Sequence, residues 1–511
     1  MHFYARIDVK ILLPLILILT FILNYFVYDI TSISSTLSTY AILLSLYVLV
    51  KSKYISLNLL GFVILFILIC EIIYAAVFHE PVSGNVIDSL VETNSIEAGE
   101  MISVYLIALI VIFTLSLLIF SFVRKVQSAH SRYIALLIII FMFMPALLTA
   151  KWVFGLDEQS KKELNDFGST FASAIKNRFP CVIGNVFYAT YSKYSNDKYM
   201  LKSDTKILNA AIVNEKNSSS ELIVLIMGES AVSIRHGAYS YSKNTTPNMS
   251  NIFNEKNGCI VKNVHSSAPL TRNSIPMTLS FSTPESELPF FENKSIIEMA
   301  KDRGFKTFWL GSQEIKGYNA SKYGAIALQS DVKILTLNND IGLVNLLRKT
   351  LNDKKDKKFI VIHLRGSHIP YTNFDSNSAL LNPEMDNYDL TVLRTDSVVK
   401  SIYDVLSEKE INFSLIYTSD HGEIVNKGHG FKKGREQYLI PFMFYSKNND
   451  FDCLFIESFK NKDGWLSGLM NKYILSEMLG YEIDEKFINE DKNNDRVLNA
   501  NNQVQKFSTI Q

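Results

Sequence analysis

Four stretches of this chain carry almost no charge and are long enough to cross a lipid bilayer. They cover residues 11–28, 54–78, 101–123 and 133–150, and each is close to the ~20 residues that a helix needs to span ~30 Å of hydrocarbon. A fifth segment, roughly 31–50, is more polar at its start and ends in an apolar run. A cleavable signal peptide does not explain a first segment that four others follow, with no evident small-residue cleavage site. The pattern therefore predicts five transmembrane helices.

Basic residues beside these segments predict the side of the membrane that each loop faces. One set of loops carries lysine and arginine, namely Arg6, Lys10, Lys51, Lys53, Arg124, Lys125 and Arg132. The alternate loops, 29–36 and 79–100, contain neither residue type. Because cytoplasmic loops are enriched in Lys and Arg, the N-terminus is predicted in the cytoplasm and everything after residue 150 outside it.

Charge and cysteine content exclude two classes of protein. The formal net charge is +1, so the basic footprint of a nucleic-acid-binding protein is missing. Cys70 lies inside the third apolar segment, and Cys181, Cys259 and Cys453 follow the last one. An extracytoplasmic disulfide among these three is compatible with the sequence, but the pairing stays open. The cysteines lack zinc-finger spacing, so any metal site must use histidine and carboxylate ligands.

The pattern changes at residue 221 to short apolar runs that alternate with helix-like segments. The runs are 222–227, 305–310, 359–363, 413–417 and 441–445, and the helix-like segments are 295–302, 340–351 and 388–406. This alternation is typical of an α/β domain with a central, mostly parallel sheet. We therefore divide the chain into a membrane domain at 1–153, a polar juxtamembrane connector at 154–220 and a globular domain at 221–511.

Side chains that can bind a metal or react follow several of the apolar runs. They are Glu229, His363, His368, Asp420, His421 and His429, and Thr271 follows a further strand-like run at 259–264. Carboxyl ends of parallel strands meet at one edge of a sheet, so these side chains are expected to converge. Histidine nitrogen and carboxylate oxygen are ligands that Zn²⁺ accepts beside thiolate. A polar surface turn would explain residues 420–429 alone, but it does not explain several converging strand ends.

Five motifs occur in order along this domain. They are Ile226-Met-Gly-Glu-Ser230 with Asn244-Thr-Thr-Pro-Asn248, Thr271-Arg-Asn-Ser-Ile-Pro276, His363-Leu-Arg-Gly-Ser-His-Ile-Pro-Tyr371, Tyr388-Asp-Leu-Thr-Val-Leu-Arg-Thr-Asp396, and Asp420-His-Gly-Glu423 followed by His429. Together with five preceding helices, the series resembles the membrane phosphoethanolamine transferases of the alkaline phosphatase and sulfatase superfamily. That family includes the lipid A enzymes behind polymyxin resistance.

The resemblance implies a principal zinc ion and a covalent nucleophile. Glu229, Thr271, Asp420 and His421 are the implied ligands of this Zn²⁺, and Thr271 is the implied nucleophile. The chemistry is reasonable, because a threonine hydroxyl is a poor nucleophile and metal coordination favours its alkoxide. Phosphoryl transfer also needs positive charge beside the non-bridging oxygens.

Further residues are implied in substrate binding. His368 and His429 are expected either to hold a second zinc or to grip the donor phosphate. Thr93, Glu97 and His363 are candidate substrate-binding residues; for the first two, solvated loop positions are the alternative reading.

The sequence also departs from the family pattern. Many relatives flank the nucleophile with a disulfide, whereas Ser267 and Met277 occupy those places here. An asparagine expected in the outer loop is replaced by Ser89. Glu71 is a carboxylate within the third apolar segment, where it would face a polar cavity or lie near the outer interface.

The resemblance implies a monomeric enzyme of the bacterial inner membrane with its catalytic domain in the periplasm. Phosphatidylethanolamine would donate its head group through Thr271 to an envelope glycolipid, either lipid A or the lipopolysaccharide core. One alternative is a phosphoglycerol transferase of the lipoteichoic acid synthase type. Another is a non-catalytic binding protein on the same fold, since fold does not imply activity. The sequence leaves the acceptor open.

Overall fold

The computed structural model divides the chain into two compact units, Met1–Leu201 and Lys202–Gln511. The described residues are 9–27, 33–78, 82, 86, 95–125, 134, 137–138, 140, 184, 186 and 206–511, apart from 217–219, 314, 316–321, 337–338, 354, 356, 449 and 501. The domain boundaries at residues 153 and 220 stay predictions.

The described part of the first unit is helical. Its α-helices are α1 (Val9–Ile22), α2 (Ile33–Val50), α3 (Ile55–Phe78) and α4 (Ser95–Lys125), and a π-helical turn, Leu23–Val27, follows α1. Among described residues, two helices are long and apolar enough to cross a membrane, at Ile55–Val77 and Leu106–Lys125. Shorter apolar helices cover Ile11–Tyr25 and Thr36–Val50. The predicted fifth segment, 133–150, lies outside the described residues except at isolated positions, so the count of five stays a prediction.

Helices α3 and α4 pack through aromatic side chains. The ring of Phe62 meets Phe113 and Phe120 edge to face, with ring centroids 5.6 and 5.4 Å apart. Such pairs stabilise helix contacts beyond the area they bury. Glu71 on α3 is only 2% exposed, so the carboxylate singled out in the sequence is buried within this unit.

The second unit alternates strands and helices along its whole length. Its strands are β1 (Ile212–Glu215), β2 (Leu222–Gly228), β3 (Gly258–Val261), β4 (Val264–His265), β5 (Lys306–Gly311), β6 (Val332–Leu335), β7 (Lys358–His363), β8 (Phe413–Ser419), β9 (Phe442–Ser446), β10 (Leu466–Ser467), β11 (Tyr481–Ile483), β12 (Arg496–Leu498) and β13 (Val504–Lys506). Its α-helices are α5 (Pro247–Phe253), α6 (Thr271–Leu279), α7 (Leu288–Glu292), α8 (Ile296–Asp302), α9 (Lys322–Leu328), α10 (Asp340–Thr350), α11 (Ser376–Leu381), α12 (Asn387–Ser407), α13 (Cys453–Glu457), α14 (Asn471–Met478) and α15 (Glu485–Asn493).

A mixed sheet forms the centre of this unit. Among the described residues it has seven strands, in the order β3-β9-β8-β2-β7-β5-β6. The strands from β8 to β6 are mutually parallel, and β9 runs antiparallel to both of its neighbours. All five apolar runs of the sequence fall on strands of this sheet, because each run is buried on both faces.

One face of the sheet packs against α5, α10 and α12. Alternate residues of the strands, such as Val224, Ile360 and Leu415, form this core with Leu347 of α10 and Ile402 of α12. Alternation follows from the two-residue repeat of a strand. Helix α12 begins after its N-cap residue, Asp386, whose side chain accepts a hydrogen bond from the Asp389 N–H.

Two of the five sequence motifs meet at the start of α5. Asp396 of α12 accepts hydrogen bonds from the backbone N–H groups of Asn248 and Met249, at 3.2 and 2.7 Å. These groups lie in the first turn of α5, where the helix itself supplies no acceptor. Asp396 therefore caps a helix from a distant part of the chain, which gives the last residue of the Tyr388–Asp396 motif a structural role.

A disulfide joins the edge of the sheet to α13. Cys259 of β3 and Cys453 are bonded, with their Cα atoms 5.4 Å apart. This answers the pairing question that the sequence left open for these two residues, whereas Cys181 lies outside the described residues. Within the predicted connector, β1 pairs antiparallel with β11.

Candidate metal and catalytic centre

The ends of two neighbouring strands, β2 and β8, place acidic and imidazole side chains at one edge of the sheet. Gly228, the last residue of β2, is paired with Ser419, the last residue of β8. Glu229 and Asp420 therefore follow side by side, and His421 comes next. All three side chains are buried, at 1%, 2% and 0% exposure.

Thr271 reaches this edge from the N-terminus of α6. Its Oγ1 lies 3.2 Å from Glu229 Oε2, to which the hydroxyl donates, and 3.2 Å from His421 Nε2. Thr271 is the first residue of a nine-residue helix, and Leu270 before it supplies no side-chain cap. The unpaired N–H groups of a helix N-terminus favour negative charge. An oxyanion on Thr271 would be stabilised by this position.

The carboxylates and the imidazole lie at the mutual distances of metal ligands. His421 Nε2 is 3.3 Å from Glu229 Oε1 and 3.3 Å from Asp420 Oδ2. One atom from each of the three residues falls within 4.8 Å of the others. Asp420 Oδ2 is buried and accepts no hydrogen bond from the described residues. Because a buried carboxylate oxygen is costly without a partner, this atom is suited to a cation.

The electrostatics of the three groups also favour a cation. Burial would raise the pKa of Glu229, but the hydrogen bond and charge of His421 hold it well below its usual range. Burial and the charge of Glu229 raise the pKa of Asp420. Burial would lower the pKa of His421, but Asp420 and Glu229 raise it. Two carboxylates this close oppose each other's ionisation, and a bound cation would relieve that opposition.

The loop after β7 packs directly on the backbone of Glu229. Gly366 has φ +52°, and a Cβ there would lie 2.8 Å from the Glu229 carbonyl oxygen. Only glycine allows this approach. On the other side, the Tyr388 hydroxyl donates to the Ser230 carbonyl at 2.7 Å and accepts from the Val232 N–H at 2.8 Å. The conformation of residues 229–232 is therefore fixed from two motifs.

Gly422 also lies where neighbouring backbone atoms leave no room for a side chain. A Cβ at this position would lie 2.2 Å from the carbonyl oxygen of Glu436 and 2.8 Å from that of Leu439. The Gly422 N–H donates to the Gln437 carbonyl at 2.9 Å. The glycine of the Asp420–Glu423 motif thus lets the chain turn against residues 436–439 and leaves His421 facing Thr271.

A second group of ligand-type side chains lies beside the first. His429 Nδ1 is 2.7 Å from Glu423 Oε2, and Glu423 Oε1 accepts from the Tyr371 hydroxyl at 2.8 Å. The ring of His429 lies 4.1 Å from that of His421 and 6.2 Å from that of His368, centroid to centroid. Since Nδ1 is engaged by Glu423, Nε2 of His429 is left for a ligand. Burial and the charge of His421 lower the pKa of His429.

His363 and Gln313 lie on the side of Glu229 that faces β5 and β7. His363 Nε2 is 3.9 Å from Glu229 Oε2, and burial lowers the pKa of His363 to about 4. Gln313 Nε2 donates to Glu229 Oε2 at 3.0 Å and to the Leu364 carbonyl at 2.8 Å. The sequence interpretation missed Gln313, although it follows a strand end in the same way as Glu229. A glutamine after a strand is too common to stand out without the contact.

The structure therefore brings together Thr271, Glu229, Asp420 and His421, with His363 on one side and His429 and His368 on the other. Their roles stay predictions. Thr93 lies outside the described residues. Glu97 lies in the first turn of α4, but its side chain is outside the description.

Comparison with known proteins finds relatives that cover most of the chain and a family model that matches the second unit. A model described as Sulfatase matches residues 221–450. Phosphoethanolamine transferase EptC from Escherichia coli (strain K12) is 26% identical over 424 residues, which cover 73% of this chain and 71% of the relative.

Two solved structures share the fold. The integral membrane protein lipooligosaccharide phosphoethanolamine transferase A (EptA) from Neisseria meningitidis aligns with a TM-score of 0.61 at 17% identity, covering 91% of this chain and 95% of that one. The C-terminal periplasmic domain of Escherichia coli EptC, in complex with Zn, aligns with a TM-score of 0.51 at 21% identity, covering 59% and 97%. The resemblance inferred from the five motifs is confirmed. The chain carries a sulfatase-family match over residues 221–450, and it aligns with curated relatives that are phosphoethanolamine transferases.

Proposed function

We propose that this chain is a zinc-dependent enzyme that transfers phosphoethanolamine from phosphatidylethanolamine to an envelope glycolipid, either lipid A or the lipopolysaccharide core. The observation that carries the proposal is the position of the Thr271 hydroxyl, 3.2 Å from both Glu229 and His421. Relatives named phosphoethanolamine transferases support the choice of reaction.

The buried residues fit a zinc ion. Glu229, Asp420, His421 and the Thr271 hydroxyl would hold it, because together they offer the oxygen and nitrogen ligands of a four-coordinate site. Asp420 Oδ2 is buried and accepts no hydrogen bond from the described residues, which supports this assignment, and so does the zinc in the EptC domain. A bound Zn²⁺ lowers the pKa of a coordinated hydroxyl and offsets charge on a phosphoryl oxygen. His368 and His429 would hold a second ion or grip the donor phosphate.

The chain's own residues would carry the reaction in two displacements. Thr271 Oγ1 gives up its proton and forms a bond to phosphorus while the bond from phosphorus to the glycerol oxygen breaks, and the glycerol oxygen takes up a proton as diacylglycerol leaves. An acceptor hydroxyl then gives up its proton and attacks the same phosphorus, the bond from phosphorus to Thr271 Oγ1 breaks, and Thr271 Oγ1 takes up a proton. Glu229 holds the Thr271 hydroxyl in place for both steps, and the dipole at the N-terminus of α6 favours negative charge on Thr271 Oγ1.

A glycolipid analysis tests the proposed function. Expression of the chain in a host that lacks enzymes of this type is expected to add phosphoethanolamine to lipid A or core species, detected by mass spectrometry. The matched control is the Thr271→Ala chain, which should leave every envelope glycolipid unmodified. A glycerophosphate addition would instead select the phosphoglycerol transferase, and no change in any glycolipid would favour the non-catalytic alternative.

The proposed membrane organisation comprises five helices within 1–153, the connector 154–220 and a periplasmic domain at 221–511. A reporter active only in the periplasm is expected to be active when fused after residue 154 and inactive when fused at Lys125. The reason is that Arg124, Lys125 and Arg132 retain their loop in the cytoplasm. Activity at Lys125 together with inactivity after residue 154 would reverse the orientation.

A further inference from the structure

The segment that carries Thr271 forms hydrogen bonds and a ring-stacking contact with a hairpin from a distant part of the chain. Strands β12 and β13 form this hairpin and pair antiparallel, from Arg496 opposite Lys506 to Leu498 opposite Val504. We use the name 496–506 hairpin for these two strands together with the flanking residues Asp495 and Phe507. The hairpin contacts residues before and after Thr271, whereas the Thr271 hydroxyl contacts Glu229 and His421.

Before Thr271, the hairpin holds both backbone and side chain. The Leu498 N–H donates to the Ser267 carbonyl at 2.9 Å. The ring of His265 stacks on Phe507, with centroids 3.8 Å apart and planes 11° from parallel. His265 Nε2 also lies 2.9 Å from Asp495 Oδ1. Since His265, Ser267 and Phe507 are almost completely buried, these contacts are shielded from competing water.

After Thr271, one side-chain pair makes the contact. Asn273 Nδ2 in the first turn of α6 donates to Asn502 Oδ1 at 3.2 Å. Asn502 adopts φ +56°, a left-handed conformation that asparagine tolerates better than most residues. The turn of the hairpin thus places the amide oxygen of Asn502 against Asn273, two positions after Thr271.

We propose that the 496–506 hairpin is a positioning element that fixes where Thr271 Oγ1 lies relative to Glu229 and His421, with Asn502 and Asn273 as its positioning residues. The proposal rests on the proposed function in taking Thr271 as the nucleophile. Ser267 and Met277 lie on either side of Thr271, and neither is a cysteine, so no disulfide joins these two positions. The hairpin spans nearly the same segment, from Ser267 to Asn273, by noncovalent contacts.

A double-mutant cycle tests the element in the full chain, loaded with zinc and embedded in lipid nanodiscs. Asn502→Gly keeps the left-handed turn and removes the amide oxygen, and Asn273→Ala removes its partner. Each change is expected to lower kcat about tenfold with KM for phosphatidylethanolamine within about twofold, because misplacing a reacting atom lowers the chemical step without weakening lipid binding. The double variant should be no slower than either single variant, because one contact is lost in all three. Val504→Thr, an exposed position on the same hairpin, is the matched control and should keep the parent rate.

Two further measurements separate positioning from a general loss of stability. Hydrogen exchange of the amides at 266–274 should accelerate in Asn502→Gly, with the amides of the central strands unchanged. Adding Ser267→Cys and Met277→Cys to Asn502→Gly should restore kcat once mass spectrometry shows that the two cysteines are joined. The disulfide would then restrain the segment in place of the lost contact between Asn273 and Asn502.

The proposal is overturned if Asn502→Gly and Asn273→Ala keep the parent kcat and exchange rates. It is also overturned if their losses simply add in the double variant, or if the crosslinked protein stays slow. The exchange measurement needs no turnover. A parent chain that transfers nothing would therefore contradict the proposed function. The effect of the hairpin on amide exchange at 266–274 would still be measured in that case.

Discussion

Replacing Thr271 by alanine is expected to lower the rate of phosphoethanolamine transfer by roughly four orders of magnitude or more, as loss of a covalent nucleophile does in other enzymes. The hydroxyl is the reacting group of the proposed scheme, and it lies 3.2 Å from both Glu229 and His421. The measurement is the turnover of labelled phosphatidylethanolamine by the purified chain. Folding should be kept, because a small, partly exposed side chain at a helix N-terminus is removed.

Thr271→Ser is the matched control for this change. It keeps the hydroxyl and removes one methyl group, so it should retain part of the activity. The melting temperatures of both variants should stay close to that of the parent. A Thr271→Ala chain that transfers at a near-parental rate would exclude the two-step scheme and point to direct attack by the acceptor.

Asp420→Ala and His421→Ala are each expected to abolish transfer and to reduce the zinc content of the purified chain. Both residues are buried beside Glu229, and ligand loss from a site of this kind lowers metal affinity strongly. Zinc content is measured by elemental mass spectrometry after dialysis against a weak chelator. The zinc readout is independent of activity, so it tests the ligand assignment directly.

His368→Ala and His429→Ala provide the comparison. The His429 ring lies 4.1 Å from that of His421 and 6.2 Å from that of His368. Neither His368 nor His429 belongs to the group of Glu229, Asp420 and His421, whose ligand atoms lie within 4.8 Å of one another. They should slow turnover while the principal zinc stays bound. Full zinc occupancy in His421→Ala would show that His421 is not a ligand of the principal ion.

The convergence of Glu229 and Asp420 was predictable from sequence. Uninterrupted apolar runs indicated buried parallel strands, and parallel strands carry the residues that follow them to one edge. The register of β2 and β8 confirms this for Glu229 and Asp420. His363 ends β7 and also lies at this edge, as expected.

Other parts of the centre were not predictable, because they depend on single long-range contacts. Gln313 meets Glu229 across 84 positions of sequence, and no periodicity marks either residue for the contact. The same holds for Asn273 with Asn502, separated by 229 positions, and for Cys259 with Cys453, separated by 194. Apolar periodicity identifies elements, whereas the partner of a polar group is decided by how the elements pack.

The most direct test of the central claim is a mass measurement on the enzyme itself. Zinc-loaded chain in nanodiscs that contain phosphatidylethanolamine, with no acceptor, should gain one phosphoethanolamine on the peptide that contains Thr271. Removal of zinc should prevent the gain, because an unactivated hydroxyl stays protonated at neutral pH. Active transfer to an acceptor without any modification of that peptide, under conditions that trap intermediates, would contradict the account.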